Sequence, residues 1–184
     1  LVLCCFLWIP RSVFGQQETP WSEIDSVVAS GAAGRGNNFG RVVAISGTTM
    51  IVFAGSRYEG RVYVYSKNGN DFEEDQVLMD PGQTTRTDSF GTTIDIHDDT
   101  ILIGLPETRA AYVFFRTAGV WELQQKLTPS DGGSDFGRSV AVDGDRIVVG
   151  AMNRMLLGAM NFDSYGYGLF SGAAYVFERD GTSW

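Results

Sequence analysis

Trp121-Glu-Leu-Gln-Gln-Lys-Leu127, then Phe136-Gly137, then Ser139-Val-Ala-Val-Asp-Gly-Asp-Arg-Ile-Val-Val149 with Gly150-Ala151, and last Gly172-Ala-Ala-Tyr-Val-Phe177 form one copy of a pattern that the rest of the chain repeats. Trp21, Phe72 and Trp121 are each followed six positions later by an aliphatic residue, namely Val27, Leu78 and Leu127. Phe-Gly comes next, at Phe39-Gly40, Phe90-Gly91 and Phe136-Gly137, and fourteen residues past each Phe stand Phe53-Ala54-Gly55, Gly104-Leu105-Pro106 and Gly150-Ala151-Met152. The copies close on Val62-Tyr-Val-Tyr65, Ala111-Tyr-Val-Phe114 and Ala174-Tyr-Val-Phe177, and seven residues later the next opening aromatic appears: Phe72, Trp121 or Trp184. The opening aromatics are 51, 49 and 63 residues apart, and the extra length of the last interval falls between Gly150 and Gly172, as a loop insertion in a stacked repeat does.

Within a copy the pattern is that of short strands. Val42-Val-Ala-Ile45 and Met50-Ile-Val-Phe53 flank a Ser46-Gly47 turn, Arg61-Val-Tyr-Val-Tyr65 follows a short loop, and Ser26-Val-Val-Ala29 is expected to finish an opening strand. Asn68-Gly69 reads as a tight turn that carries the chain from one unit into the next. The 23 glycines and the scarcity of helical periodicity favour many strands joined by turns. Four antiparallel strands in about 45–50 residues have the size of a propeller blade. The expected fold is therefore an all-β propeller of four-stranded antiparallel blades, with units at 21–65, 72–114 and 121–177 and the start of a fourth at Trp184. About three blades make an incomplete ring, so further blades are expected, and propellers close with about four to eight. Ile51, Ile101 and Ile147 should be deeply buried, and Trp21, Phe72 and Trp121 should occupy equivalent places.

The repeated motif residues are read as architectural. Phe39, Phe90 and Phe136 should fill the space between sheets, while Gly40, Gly91 and Gly137 let backbones approach, as should Gly104, Pro106, Gly150 and Ala151 in the second motif. A β-helix coil is shorter than this unit, and a sandwich need not repeat sequence at a fixed offset.

At the N-terminus, Leu1-Val-Leu-Cys-Cys-Phe-Leu-Trp-Ile9 is too short an apolar run to span a bilayer, and Val13-Phe14-Gly15 suits a signal peptidase. Residues 1–15 are expected to be a signal peptide and residues 16–184 the repeat region. Its removal would take Cys4 and Cys5 with it, leaving no cysteine for a disulfide or thiol chemistry. Loss of Arg11 would change the net charge from −8 to −9, an acidic balance that offers no footprint for nucleic acid.

Phe-Gly followed by Gly-Ala-Pro-like triplets resembles the FG-GAP repeat of the integrin α-subunit propeller and of many secreted repeat proteins. The copy from Trp121 to Phe177 is more similar to the simpler secreted branch of that family, and Phe53-Ala-Gly55 departs from the triplet. The resemblance implies a propeller whose loops bind extracellular protein or glycan ligands. The calcium loop of integrin propellers does not carry over. Ser46-Gly-Thr-Thr49, His97-Asp-Asp-Thr100 and Asp143-Gly-Asp-Arg146 each offer at most two carboxylates, too few for the six to eight oxygens calcium takes. Asp131, Asp135 or Asp163 would supply a site only with ligands from elsewhere, so no cofactor is expected.

No catalytic constellation stands out: His97 is the one histidine, no Gly-x-Ser-x-Gly motif is present, and Glu73-Glu74-Asp75 reads as the solvated face of an outer strand. The sequence therefore favours a secreted or surface-displayed, non-catalytic binding module without a membrane span in this segment. The alternative is a carbohydrate-binding or carbohydrate-active propeller using Tyr58, Tyr165 and Tyr167 as stacking platforms. An anchor beyond residue 184 is left open.

Overall fold

The computed structural model of the chain describes residues 23–30, 37–56, 59–82, 90–155 and 170–184. The expected signal peptide, Trp21, Tyr58, Asp163, Tyr165 and Tyr167 lie outside them. The described residues form three antiparallel sheets. Sheet A joins β1 (Val43–Ser46), β2 (Thr49–Ser56), β3 (Glu59–Asn68) and β4 (Asp71–Met79) in chain order. Sheet B repeats it with β5 (Thr93–His97), β6 (Thr100–Leu105), β7 (Ala110–Thr117) and β8 (Val120–Leu127). Sheet C holds β9 (Ser134–Asp143), β10 (Arg146–Met155) and β11 (Phe170–Glu178), three strands where the sequence pattern leads one to expect four.

These sheets are propeller blades, and they are cut one strand out of phase with the sequence repeat. The strand that opens a unit closes the preceding sheet: Phe72 lies in β4, opposite Lys67 of β3, and Trp121 lies in β8, opposite Arg116 of β7. Each unit was expected to make its own sheet, with Asn68-Gly69 as the boundary. Instead Asn68 pairs with Asp71 across a two-residue loop, and so short a connection joins antiparallel neighbours within one sheet. Phe72 and Trp121 do occupy equivalent places, second in their strands. Both outer strands also bulge at one position, β4 at Asp75 opposite Val64/Tyr65 and β8 at Gln124 opposite Val113/Phe114. Residues 23–30 are not a strand, because no strand among the described residues pairs with them.

Alternation along the strands gives every sheet two apolar faces, and the sheets stack through them. Ile51, Phe53, Val62, Val64 and Leu78 of A meet Phe90, Ile94, Ile96, Ile101, Ile103, Tyr112 and Phe114 of B in one core. Leu102, Ala111, Val113 and Leu127 on the other face of B meet Phe136, Val142, Ile147 and Val149 of C in a second. A third, smaller cluster covers the far face of A, where Val52, Ala54, Tyr63 and Tyr65 pack with Val27, Ala29 and Phe39. Ile51, Ile101 and Ile147 are all fully buried, as expected. They are not equivalent, however: counted from the Phe-Gly motif, Ile51 matches Leu102 and Val148, which is why Ile51 faces the following sheet and Ile101 the preceding one.

The stack has two different ends. At one, β1–β2, β3–β4, β5–β6, β7–β8 and β9–β10 are all joined by two-residue turns. At the other end stop the strands that bound the longer connections: Met79 and Thr93 between sheets A and B, Leu105 and Ala110 on either side of the 3-10 turn Pro106–Thr108, Leu127 and Ser134 between B and C, and Met155 and Phe170 of β10 and β11. A short turn spends its residues on closing the hairpin, so the loop end is where sequence is free to vary.

Candidate interaction surfaces

The motif residues sit between sheets, where the repeat placed them. Phe90 and Phe136 are fully buried and Phe39 is half-buried, and each meets its own sheet's tyrosine edge-on. Ring centroids are 5.7 Å apart for Phe39–Tyr63, 6.1 Å for Phe90–Tyr112 and 5.1 Å for Phe136–Tyr175. Gly40, Gly91 and Gly137 share one backbone conformation, with φ of +83°, +86° and +94°. A Cβ on Gly91 would lie 2.7 Å from Phe53 and Val62 of sheet A, and one on Gly137 would overlap the Ala110 carbonyl of sheet B. The Phe-Gly corner is thus the point at which one blade's backbone touches the previous blade. Gly104 serves the reciprocal role, since a Cβ there would strike the Gly137 carbonyl, and the buried Pro106 starts the 3-10 turn that follows. Gly150 lies against Ser139 within sheet C, and Ala151 is buried in the B–C core.

Two further sets of side chains recur between blades without having been singled out from sequence. Four residues after each opening aromatic stands Asp25, Gln76 or Gln125. Gln76 accepts from the Trp121 amide at 3.0 Å and donates to the Trp121 carbonyl at 2.8 Å; Gln125 holds Trp184 by the same pair at 2.9 and 3.0 Å. Asp25 accepts from the Phe72 amide at 2.8 Å. The second set lies five residues before the aromatic: Arg116 stacks over Trp121 at 5.1 Å and donates to Thr49 of sheet A, while Arg179 stacks over Trp184 at 4.5 Å and donates to Thr100 of sheet B. Thr49 and Thr100 are the buried polar side chains that receive them. The fixed offsets, four after and five before, were the signal available in the sequence.

The turn end is acidic and laced with these arginines. A groove of about 250 Å³ between sheets B and C is lined by His97, Asp98, Asp99, Phe115, Asp145 and Arg179, among others. His97 Nδ1 lies 3.3 Å from Asp143 of sheet C and Nε2 3.6 Å from Asp98, so both ring nitrogens face carboxylates. Arg116 pairs with Asp99 at 2.6 Å, and Arg179 Nε lies 3.3 Å from Asp145. At the loop end, Asp80 and Asp131 cap their own turns by accepting from the Gly82 and Gly133 amides at 2.9 and 3.1 Å. Tyr175 donates to Asp131 at 2.5 Å, and burial together with the Asp80 charge raises the Tyr112 hydroxyl above its ordinary value. Burial, then Glu74 and Tyr63, pushes Tyr65 up to about 12, and its hydroxyl donates to the Val28 carbonyl.

The carboxylates weighed for calcium are dispersed. Asp131 is engaged by Tyr175 and Gly133, Asp135 sits at a positive φ of 57° in β9, and no group of three or more His, Cys, Asp or Glu side chains converges among the described residues. Glu73, Glu74 and Asp75 line an outer strand as expected, but they are bonded to Asn68, Ser30 and Ser66 rather than simply solvated.

A stack of antiparallel sheets that meet through Phe-Gly corners is a set of propeller blades. The family model described as FG-GAP repeat matches residues 121–177, so this stretch is an FG-GAP repeat, with the same limits as the sequence copy from Trp121 to Phe177. A search of curated proteins found no match to the chain. No helix among the described residues is long and apolar enough to cross a membrane.

Proposed function

We propose that this chain is the scaffold of a non-catalytic binding module displayed outside the cell, which takes hold of an extracellular ligand through its loop end. The observation that carries this reading is the polarity of the stack. The recurring side chains are spent on holding blades together, two-residue turns close one end, and every long connection gathers at the other. That is how rigid scaffolds present variable binding loops. The insertion between β10 and β11 is present in one unit only, and its composition, nearly free of charge and rich in Leu, Gly and Tyr, suits a contact surface. The expected signal peptide and the acidic balance accord with an extracellular site of action.

The test is a binding screen of the purified protein against extracellular-protein and glycan arrays, alongside a hydrolase panel. A hit on a protein ligand that is lost when residues 156–169 are replaced by a short Gly-Ser linker, with the β spectrum intact, is the expected result. Saturable sugar binding would shift the reading to a lectin, and turnover of any substrate would overturn the non-catalytic role.

A further inference from the structure

The three arginines at the turn end are each paired with a carboxylate: Arg116 with Asp99, Arg146 with Glu178 and Arg179 with Asp145. Two at the loop end are not. Arg109, which closes the 3-10 turn of sheet B, and Arg138, near the start of β9 in sheet C, are exposed and form no ion pair among the described residues. They belong to one corner of the stack. Gly137 sits so close to sheet B that an added Cβ would lie 2.4 Å from the Ala110 carbonyl oxygen; Arg138 follows Gly137 in the chain and Arg109 precedes Ala110, so the two arginines flank that contact.

A backbone irregularity presents each side chain. Arg109 holds φ 53° and ψ 51°, the left-handed conformation that L side chains disfavour and that glycine takes freely. Its Nη1 donates to the Gly132 carbonyl at 3.4 Å, which anchors the guanidinium to the connection between B and C while its other donors have no partner among the described residues. Arg138 lies in a bulge: Ser139 pairs with Gly150 and Phe136 with Ala151, so Gly137 and Arg138 have no partner across β10. Bulges re-aim side chains at the rim of a sheet. The nearby acids leave this positive charge standing. Asp131, next to Gly132, accepts from the Gly133 amide at 3.1 Å and from the Tyr175 hydroxyl at 2.5 Å, and neither Glu107 nor Asp135 forms an ion pair with either arginine.

We propose that Arg109 and Arg138 grip a carboxylate in a short acidic segment of a protein ligand, an assignment that rests on the loop end being the binding end. The planar guanidinium fork matches a carboxylate in two parallel hydrogen bonds. An arginine held in a conformation that a glycine would adopt without strain is retained for what its side chain touches. A short acidic segment fits better than a long polyanion, because the chain as a whole carries a net charge of −8 and repels such a polymer beyond the corner itself.

The probe is a fluorescein-labelled Gly-Ser peptide with an Asp-Asp pair at its centre, titrated with the full chain and followed by anisotropy at about 50 and 200 mM salt. Saturable binding that weakens at the higher salt is expected, with Arg109→Gln and Arg138→Gln each raising Kd about 10-fold, as loss of one charge-assisted hydrogen bond does. Arg146→Gln removes the same charge at the turn end and should leave Kd unchanged. Arg109→Gly separates gripping from folding: it relieves the left-handed strain, so the denaturant midpoint should not fall while Kd rises about 10-fold. The proposal is overturned by an absence of saturable binding, by an equal loss in Arg146→Gln, or by a fall in the Arg109→Gly midpoint with Kd unchanged. Heparin held through these arginines without any binding of the peptide would give the corner to sulfated glycans and overturn it as well. A protein ligand from the array screen that ignores both salt and the two arginines would remove the carboxylate grip and leave the binding-module reading standing.

Discussion

Gly91 holds φ at +86° and its α-carbon hydrogens face Phe53 and Val62, so a methyl group there meets both a strained backbone and an occupied space. Gly40 has the same φ sign, at +83°, but nothing within 4 Å of an added Cβ. Gly91→Ala is therefore expected to cost about 2–4 kcal/mol and Gly40→Ala about 1–2 kcal/mol, a difference that urea unfolding of the two variants would resolve. Tyr65 gives a second residue-level expectation. Below its ordinary value near 10, folded and unfolded chains both keep the phenol proton; between there and about 12 the unfolded chain loses it first, so stability falls as pH rises through that window. Tyr65→Phe should flatten part of that alkaline decline in the denaturant midpoint, at the cost of the bond to Val28; an unchanged slope would show that Tyr65 does not contribute to it. The role of the Phe-Gly pair was legible in the sequence because an aromatic beside a glycine has few other uses at a fixed period. The roles of Asp25, Gln76 and Gln125 were not, since a polar residue on an outer strand looks the same whether it faces water or the next blade.

Between elements, the Gln76 side chain is the link from β4 to the start of β8, and it satisfies both the amide and the carbonyl of Trp121. Gln76→Ala leaves those two backbone groups unpaired at a half-buried seam, which is expected to cost about 1–3 kcal/mol. Gln76→Glu keeps the acceptor and loses the donor, so it should fall between wild type and Ala at neutral pH; faster exchange of the Trp121 amide in the Ala variant alone would confirm the geometry. At this scale the hairpins were readable from apolar runs broken by Ser46-Gly47, His97-Asp98-Asp99 and Asp143-Gly144. Where the sheets are cut was harder to read, because a periodic sequence has no intrinsic starting point. The deciding signal was the brevity of the Gly69-Asn70 loop, too short to leave one sheet for another. The absence of a strand at 26–29 has the same origin. A strand exists only by pairing, and no partner for that stretch stands among the described residues, whatever its own β-branched content.

Across the whole stack, sheet B is the element with both faces covered: β6 is buried along its full length, and its side chains contribute alternately to the A–B and B–C cores. In a quasi-linear array, stability is a sum of unit terms and nearest-neighbour terms, so among the described sheets B carries two interface terms and A and C one each. Leu102 is fully buried on the C-facing side of B, and Leu102→Ala should remove about 2–5 kcal/mol through lost contact and the cavity left behind. Val43, 59% exposed on the outer face of A, should tolerate Ala within about 0.5 kcal/mol. The distinguishing expectation is one of cooperativity. Weakening B uncouples A from C, so Leu102→Ala should broaden the single unfolding transition or split it, whereas an equal destabilisation placed at Ile147 of C loosens one end and leaves A and B melting together. Amide exchange resolved by sheet would decide the matter. Should Leu102→Ala speed exchange in sheet C alone and leave A–B amides at wild-type rates, the two cores would be energetically independent and sheet B would not be the keystone of the stack.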